Sequence, residues 1–211
     1  MGTRNLTMIY NEGKYVLAKY CQWDGYPTGQ GAEICDFLER KGNIERLKEK
    51  IGNLRYISEE EYYQAWDKAG QPRDKNTVSP SVRNKFNEMF PELIRDTGGK
   101  ILSLIANSEG EFKTYDDLEF AADSLFCEWA YVIDFDKNVF EIYRGFNHAP
   151  LNEEDRFYFL SGKAKENDYR TDYTPIKMVK SYPLNFESIP SYEELKAIEQ
   201  RQYDKEEEEP G

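Results

Sequence analysis

The sequence predicts an α+β domain: a mainly antiparallel sheet covered by helices. Two observations carry this. β-prone runs stand at the two ends of the chain with helical patterns between them, and they do not alternate strand by helix as a doubly wound parallel fold demands. Aromatic residues make up 15% of the 211 residues, with 16 Tyr and 12 Phe. That is far above what chains without a packed core carry.

The elements follow in order. Leu6 to Tyr10 and Tyr15 to Cys21 are β-prone and flank Asn11-Glu12-Gly13-Lys14, which is turn chemistry, so the chain opens with a hairpin. Gln22 to Gly31 (QWDGYPTGQG) breaks the strand and leads into a helix with Ile34, Phe37 and Leu38 on one face. Ile44, Leu47 and Ile51 form a second helical stripe, with Asn43 placed to cap it. Ser58 and Glu61 spell a capping box before Tyr62, Tyr63 and Trp66. Ser79-Pro80 opens a further helix with Val82, Phe86, Met89 and Phe90 at helical spacing, interrupted by Pro91. Another helix carries Ile101, Leu102, Leu104 and Ile105. The period then changes. Trp129 to Phe135 is a near-continuous apolar strand, Asp136-Lys137-Asn138 a turn, and Val139 to Arg144 a returning strand. Arg156 to Leu160 and Ile176 to Ser181 are expected as added strands, and Ser191 with Glu194 caps a last helix.

These elements read as one domain over residues 1–201, with a mobile loop at about 70–81 and an acidic disordered tail over 202–211. No apolar run approaches the length of a membrane span, and the N-terminus lacks the apolar stretch of a signal peptide, so a cytoplasmic protein is expected. Three cysteines without CxxC spacing argue against a disulfide framework or a zinc knuckle. A net charge of −12 disfavours nucleic acid and anionic membrane as partners. No metal-ligand pattern and no nucleotide fingerprint is present, so no cofactor is expected.

The densest polar cluster lies where the two ends of the hairpin meet. Arg4 and Asn5 precede the first strand, and Gln22, Trp23, Asp24, Tyr26 and Gln30 follow the second. This set suits a small polar ligand: Arg4 for an anionic group, Trp23 or Tyr26 for stacking, and Asn5, Asp24 and Gln30 for directed hydrogen bonds. A plainer reading has Asp24 to Pro27 as a turn, Thr28 as a cap and Trp23 as core. A second cluster is Cys127-Glu128-Trp129 at the mouth of the strongest strand. Glu128 there is a candidate acid or base and Cys127 a candidate nucleophile. The alternative makes Cys127 a small buried residue and Glu128 solvent-facing. Asp96-Thr97-Gly98-Gly99 is a weak phosphate cradle or simply a helix start, and His148, the one histidine, falls in a loop.

GTRNL, QWDGYPTGQG and FAADSLFCEWAYVIDFD together resemble a family of uncharacterised proteins from phage, bacterial and fungal genomes. The resemblance implies no activity. It groups Arg4, Gln22, Trp23, Asp24, Tyr26, Gln30, Cys127, Glu128 and Trp129 in one signature. The first 25 or so residues also resemble, more loosely, N-terminal-nucleophile hydrolases, with Thr3 in the nucleophile's place. Removal of Met1 exposes Gly2 rather than Thr3, which departs from that pattern. The expected function is therefore binding of a small polar, nucleotide-like molecule between the first hairpin and the Cys127–Trp129 strand, such as sequestration of a nucleotide-derived signal in a phage–host setting. The alternatives are an amide-type hydrolase using Thr3, Cys127 or Glu128, and an interaction protein whose acidic surface meets a basic partner.

Overall fold

The computed structural model describes residues 2–71, 73, 77–163 and 173–208, with side chains described through residue 201. The architecture is α+β. Strands β1 (Asn5–Asn11) and β2 (Lys14–Cys21) form the opening hairpin. Glu12 and Gly13 both take positive φ at its tip, the geometry that matches the right-handed twist of paired strands. Both of their N–H groups donate to the Asp136 carboxylate at 2.8 Å. The first hairpin is thus tied to the tip of the second, β5 (Trp129–Asp134) and β6 (Val139–Arg144). With β7 (Lys177–Pro183) these strands make a five-stranded sheet in the order β2-β1-β5-β6-β7.

All neighbours are antiparallel except β1 and β5, which run parallel with Asn5 opposite Trp129. A parallel pair needs a long crossover. The chain supplies it with residues 22–128, which hold α1 (Ala32–Leu38), α2 (Asn43–Lys50), α3 (Glu59–Ala69), α4 (Pro80–Met89) and α5 (Ile101–Ala106). The last helix, α6 (Tyr192–Glu208), follows β7.

Strand alternation divides the core. Ile9, Leu17, Tyr131, Ile133, Phe140 and Ile142 point to the face covered by α1, α2, α5 and α6. Leu6, Met8, Ala18, Ala130, Val132 and Tyr143 point to the other face, closed by Phe157, Leu160 and Ile176. β5 is buried at every residue because both faces are covered, which explains its unbroken apolar run. A third, smaller core of Ala65, Ala69, Phe86 and Leu93 joins α3 to α4.

Several expectations are corrected. The 156–160 segment is not a strand. Residues Tyr158–Leu160 form a 3-10 turn, and the inward residues Phe157 and Leu160 are three apart, a helical rather than an alternating spacing. Asn43 does not cap α2. The residue before the helix is Gly42 at φ 87°, and the Asn43 amide instead donates to the Phe37 carbonyl at 2.8 Å, binding the end of α1. The strong strand ends at Asp134, whose carboxylate accepts the N–H groups of Asp136 and Lys137 and so shapes the turn. A short parallel pair, β3 (Leu54–Tyr56) with β4 (Phe112–Thr114), leaves no mark in the sequence, since three residues are too few to show a period. The expected loop over 70–81 falls partly, and the expected tail over 202–211 falls wholly, on positions outside the described residues or side chains, although the backbone is helical through Glu208.

Candidate functional site

The β1–β5 pairing brings the two predicted clusters side by side. Glu128 N–H donates to the Arg4 carbonyl at 3.1 Å, and Arg4 N–H donates to Glu128 Oε1 at 3.2 Å. The Arg4 guanidinium lies 3.6 Å from the same carboxylate and 4.3 Å from the centre of the Phe126 ring. Each charge is therefore met within the protein.

The remaining members disperse. Thr3, Asn5, Cys127 and Trp129 are buried. The Thr3 carbonyl accepts the Gly25 N–H at 2.9 Å, and the Asn5 amide reaches the carbonyls of Cys21 and Trp23 at 3.5 Å each. These contacts lock the loop after β2 against the start of β1. Cys127 is sealed in the core and burial pushes its thiol pKa well up, which is opposite to what a thiolate nucleophile needs. Trp129 sits in the core beneath the Arg144 guanidinium, so it offers no ring face for stacking a ligand. Gln30 spends its side-chain oxygen on the Gly99 N–H at 2.7 Å, which also occupies one donor of the suggested phosphate cradle. Gln22 accepts from the Tyr20 hydroxyl at 2.6 Å. Asp24 is exposed at φ 58°, its carbonyl receiving the Gln30 N–H, and Tyr26 is half-buried with its carbonyl in the same turn. Trp23, 49% exposed, covers Gly2 so closely that any larger residue there would strike its ring.

A different hollow holds more unspent chemistry. A cleft of about 450 Å³ opens between the outer edge of β2 and the α3–α4 unit. Its floor is Lys19. Alternation along β2 points Lys19 to the same side as Leu17 and Cys21, and the residue is 1% exposed. Its amine lies 4.7 Å from the centre of the Tyr115 ring. Among the described residues no carboxylate stands at ion-pair distance from it. Burial lowers its pKa from the ordinary 10.5 to about 8, opposed by the charge of Asp117 and more weakly by Cys21, Glu92 and Asp96.

The segment after β4 builds the adjoining wall. It runs beside β2, with Asp117 N–H donating to the Ala18 carbonyl at 3.0 Å and Tyr20 N–H donating to the Asp117 carboxylate at 2.9 Å. This pairing sets Tyr115 and Asp117 next to Lys19. Burial raises the Asp117 pKa. The opposite wall comes from two helices. Tyr62 and Trp66 stand one turn apart on α3, and Arg83, Phe86 and Asn87 share one face of α4. The Trp66 and Phe86 rings stack at 3.8 Å with 11° between their planes, while Tyr62 meets Phe86 and Tyr115 edge-on. Arg95 lies at the mouth, paired with Asp96 at 3.1 Å. Arg83 is exposed and has no carboxylate partner among the described residues.

No motif in the sequence marks Lys19, Arg83, Asn87, Arg95, Tyr115 or Asp117. One signal was present: a lysine at an inward position of a strand whose neighbours on that side are Leu17 and Cys21.

No family model, curated protein or solved structure matches the chain. Among the described residues no helix is long and apolar enough to cross a membrane.

Proposed function

We propose that this protein binds a small anionic molecule with a flat, nucleotide-like ring in the cleft between β2 and the α3–α4 unit. The observation that carries this reading is Lys19: a buried ammonium facing an open cleft with no carboxylate at ion-pair distance among the described residues. Burying an unpaired charge costs several kcal/mol, on the order of the net stability of a domain. A bound anion offsets that cost. The charge balance of the lining agrees. Lys19, Arg83 and Arg95 face Asp96, which already pairs with Arg95, and Asp117, which already accepts the Tyr20 N–H. Aromatic side chains line the cleft, and its volume lies in the range of small-molecule sites.

The hydrolase reading needs an accessible nucleophile. Of its candidates, Thr3 and Cys127 are buried and Glu128 is paired with Arg4. The geometry favours binding.

The test is thermal unfolding against a panel of nucleoside mono-, di- and cyclic phosphates. A ligand at a hundred times its Kd should stabilise the protein by about 2.7 kcal/mol. Arg83→Ala should weaken that stabilisation, whereas Trp23→Ala, at the end of the hairpin, should leave it intact. If no panel member stabilises the wild type, the reading fails. If Trp23→Ala abolishes the effect and Arg83→Ala does not, the site belongs to the hairpin end instead.

A further inference from the structure

We propose that Lys19 is a reactive amine that forms an imine with a carbonyl group, aldehyde or ketone, of the anion held in the cleft. This rests on the binding reading and adds a covalent step to it. A lysine kept for charge alone is replaceable by arginine, and arginine tolerates burial better because its charge is delocalised. Here the floor holds a point amine, while guanidinium groups stand where an anion would first be met: Arg83 on α4 and Arg95 at the mouth. Such a division of labour sets a ligand's anionic group within the field of all three cations, with its carbonyl nearest the amine.

The surroundings suit each stage. Burial moves the Lys19 pKa down to about 8, so a useful share of the amine is neutral near neutral pH. The neutral nitrogen's lone pair attacks the carbonyl carbon. A C–N bond forms, the carbonyl oxygen takes up a proton and the nitrogen loses one. The hydroxyl then takes a second proton and leaves as water while the nitrogen lone pair closes the C=N bond. The immediate product is the protonated imine, and release of that second proton gives the neutral imine, so the net balance is amine plus carbonyl giving imine plus water, with no oxidant or reductant. The proton passes from nitrogen to oxygen through solvent in the open cleft, whose lining includes Asp117 beyond ion-pair distance of the amine, where its charge favours the cationic form of the nitrogen. The Tyr115 ring, 4.7 Å from the amine, stabilises a cation at that position, and the protonated imine is such a cation.

The experiment uses the full chain and pyridoxal 5′-phosphate, which combines a ring, an anion and an aldehyde. The probe is added at equimolar concentration, the mixture is reduced with borohydride, and the adduct is located by intact mass and peptide mapping. The expected result is one adduct, at Lys19, with the mass of the probe less one water plus two hydrogens. Lys19→Arg should lose the adduct, and Lys19→Met serves the same purpose if arginine does not fit. Thermal unfolding checks that each variant is folded. Pyridoxine 5′-phosphate, which lacks the aldehyde, separates the two claims. If it stabilises the protein but borohydride traps nothing at Lys19, the imine is refuted and anion binding stands. Adducts scattered over exposed lysines with Lys19 untouched also refute it. If neither probe stabilises or labels the protein, the cleft as a site for such ligands is refuted with it.

Discussion

Lys19 shows how one side chain can set a pH dependence. In the unfolded chain it holds its proton up to the ordinary pKa of 10.5, and in the fold only up to about 8. Between those values the unfolded state binds more protons, so the Lys19 contribution to stability rises with pH, by up to about 1.4 kcal/mol per pH unit. Below about pH 8 both states are protonated and the burial cost is constant. Cys21, Cys35 and Cys127 and several buried tyrosines pull the other way, because burial raises their pKa and the unfolded state sheds those protons first. The difference between wild type and Lys19→Met isolates the lysine. Lys19→Met should be the more stable form near pH 7, and its advantage should shrink by about pH 10, read from urea unfolding. An advantage that does not change with pH would mean the amine is solvated in the fold.

Helix α3 is the element on which the cleft wall depends. Ser58 accepts the Glu61 N–H at 3.3 Å and Glu61 accepts the Ser58 N–H at 3.1 Å, completing the capping box. Glu61 also pairs with Arg55 on β3 and with Lys113 on β4, at 2.8 Å for the lysine, so the start of the helix is riveted to the small parallel sheet. Ser58→Ala should cost about 1 kcal/mol. Because Ala65, Ala69, Phe86 and Leu93 form a core apart from the main sheet, hydrogen exchange should quicken in α3 and α4 and stay unchanged in β1 and β5. Uniform quickening would mean that the third core unfolds only with the whole protein. This helix was fully legible in the chain: capping residues and an aromatic stripe act within one or two turns. So were Ser79 before α4 and Ser191 with Glu194 at α6, and both strands of each hairpin. The 156–160 segment reads as a strand because Phe157, Tyr158 and Phe159 are β-prone, and which of them point inward is fixed only when Phe157 packs against Tyr143 and Tyr15.

The molecule as a whole is held across its second core by a buried ionic knot. Arg156 pairs with Asp134 on β5 and, at 2.7 Å, with Glu141 on β6, while the Tyr143 hydroxyl donates to Glu141 at 2.8 Å. The guanidinium also lies 5.0 Å from the centre of the Tyr10 ring. Asp134 is fully buried and Glu141 nearly so. Arg156→Ala leaves both carboxylates without their cation and should cost about 3–5 kcal/mol in guanidinium unfolding. A loss under about 1 kcal/mol would show that water reaches these carboxylates.

The hairpins, the helices at Ser58, Ser79 and Ser191 with their caps, and the α+β class follow from the order of residues, because the local patterns behind them span a few positions, whereas the Asn43 side chain was claimed by the end of α1. The placing of the chemistry does not follow from that order. Arg4 and Glu128 stand out in the sequence, yet their partnership arises from the parallel pairing of β1 with β5 across more than a hundred residues, and it neutralises the charges that set them apart. Lys19, Tyr115 and Asp117 gained their meaning when residues 115–117 settled along β2, and Arg83 when α4 closed the opposite wall. A side chain's worth to a ligand depends on what else has already claimed its charge, and that is settled only when distant segments come together.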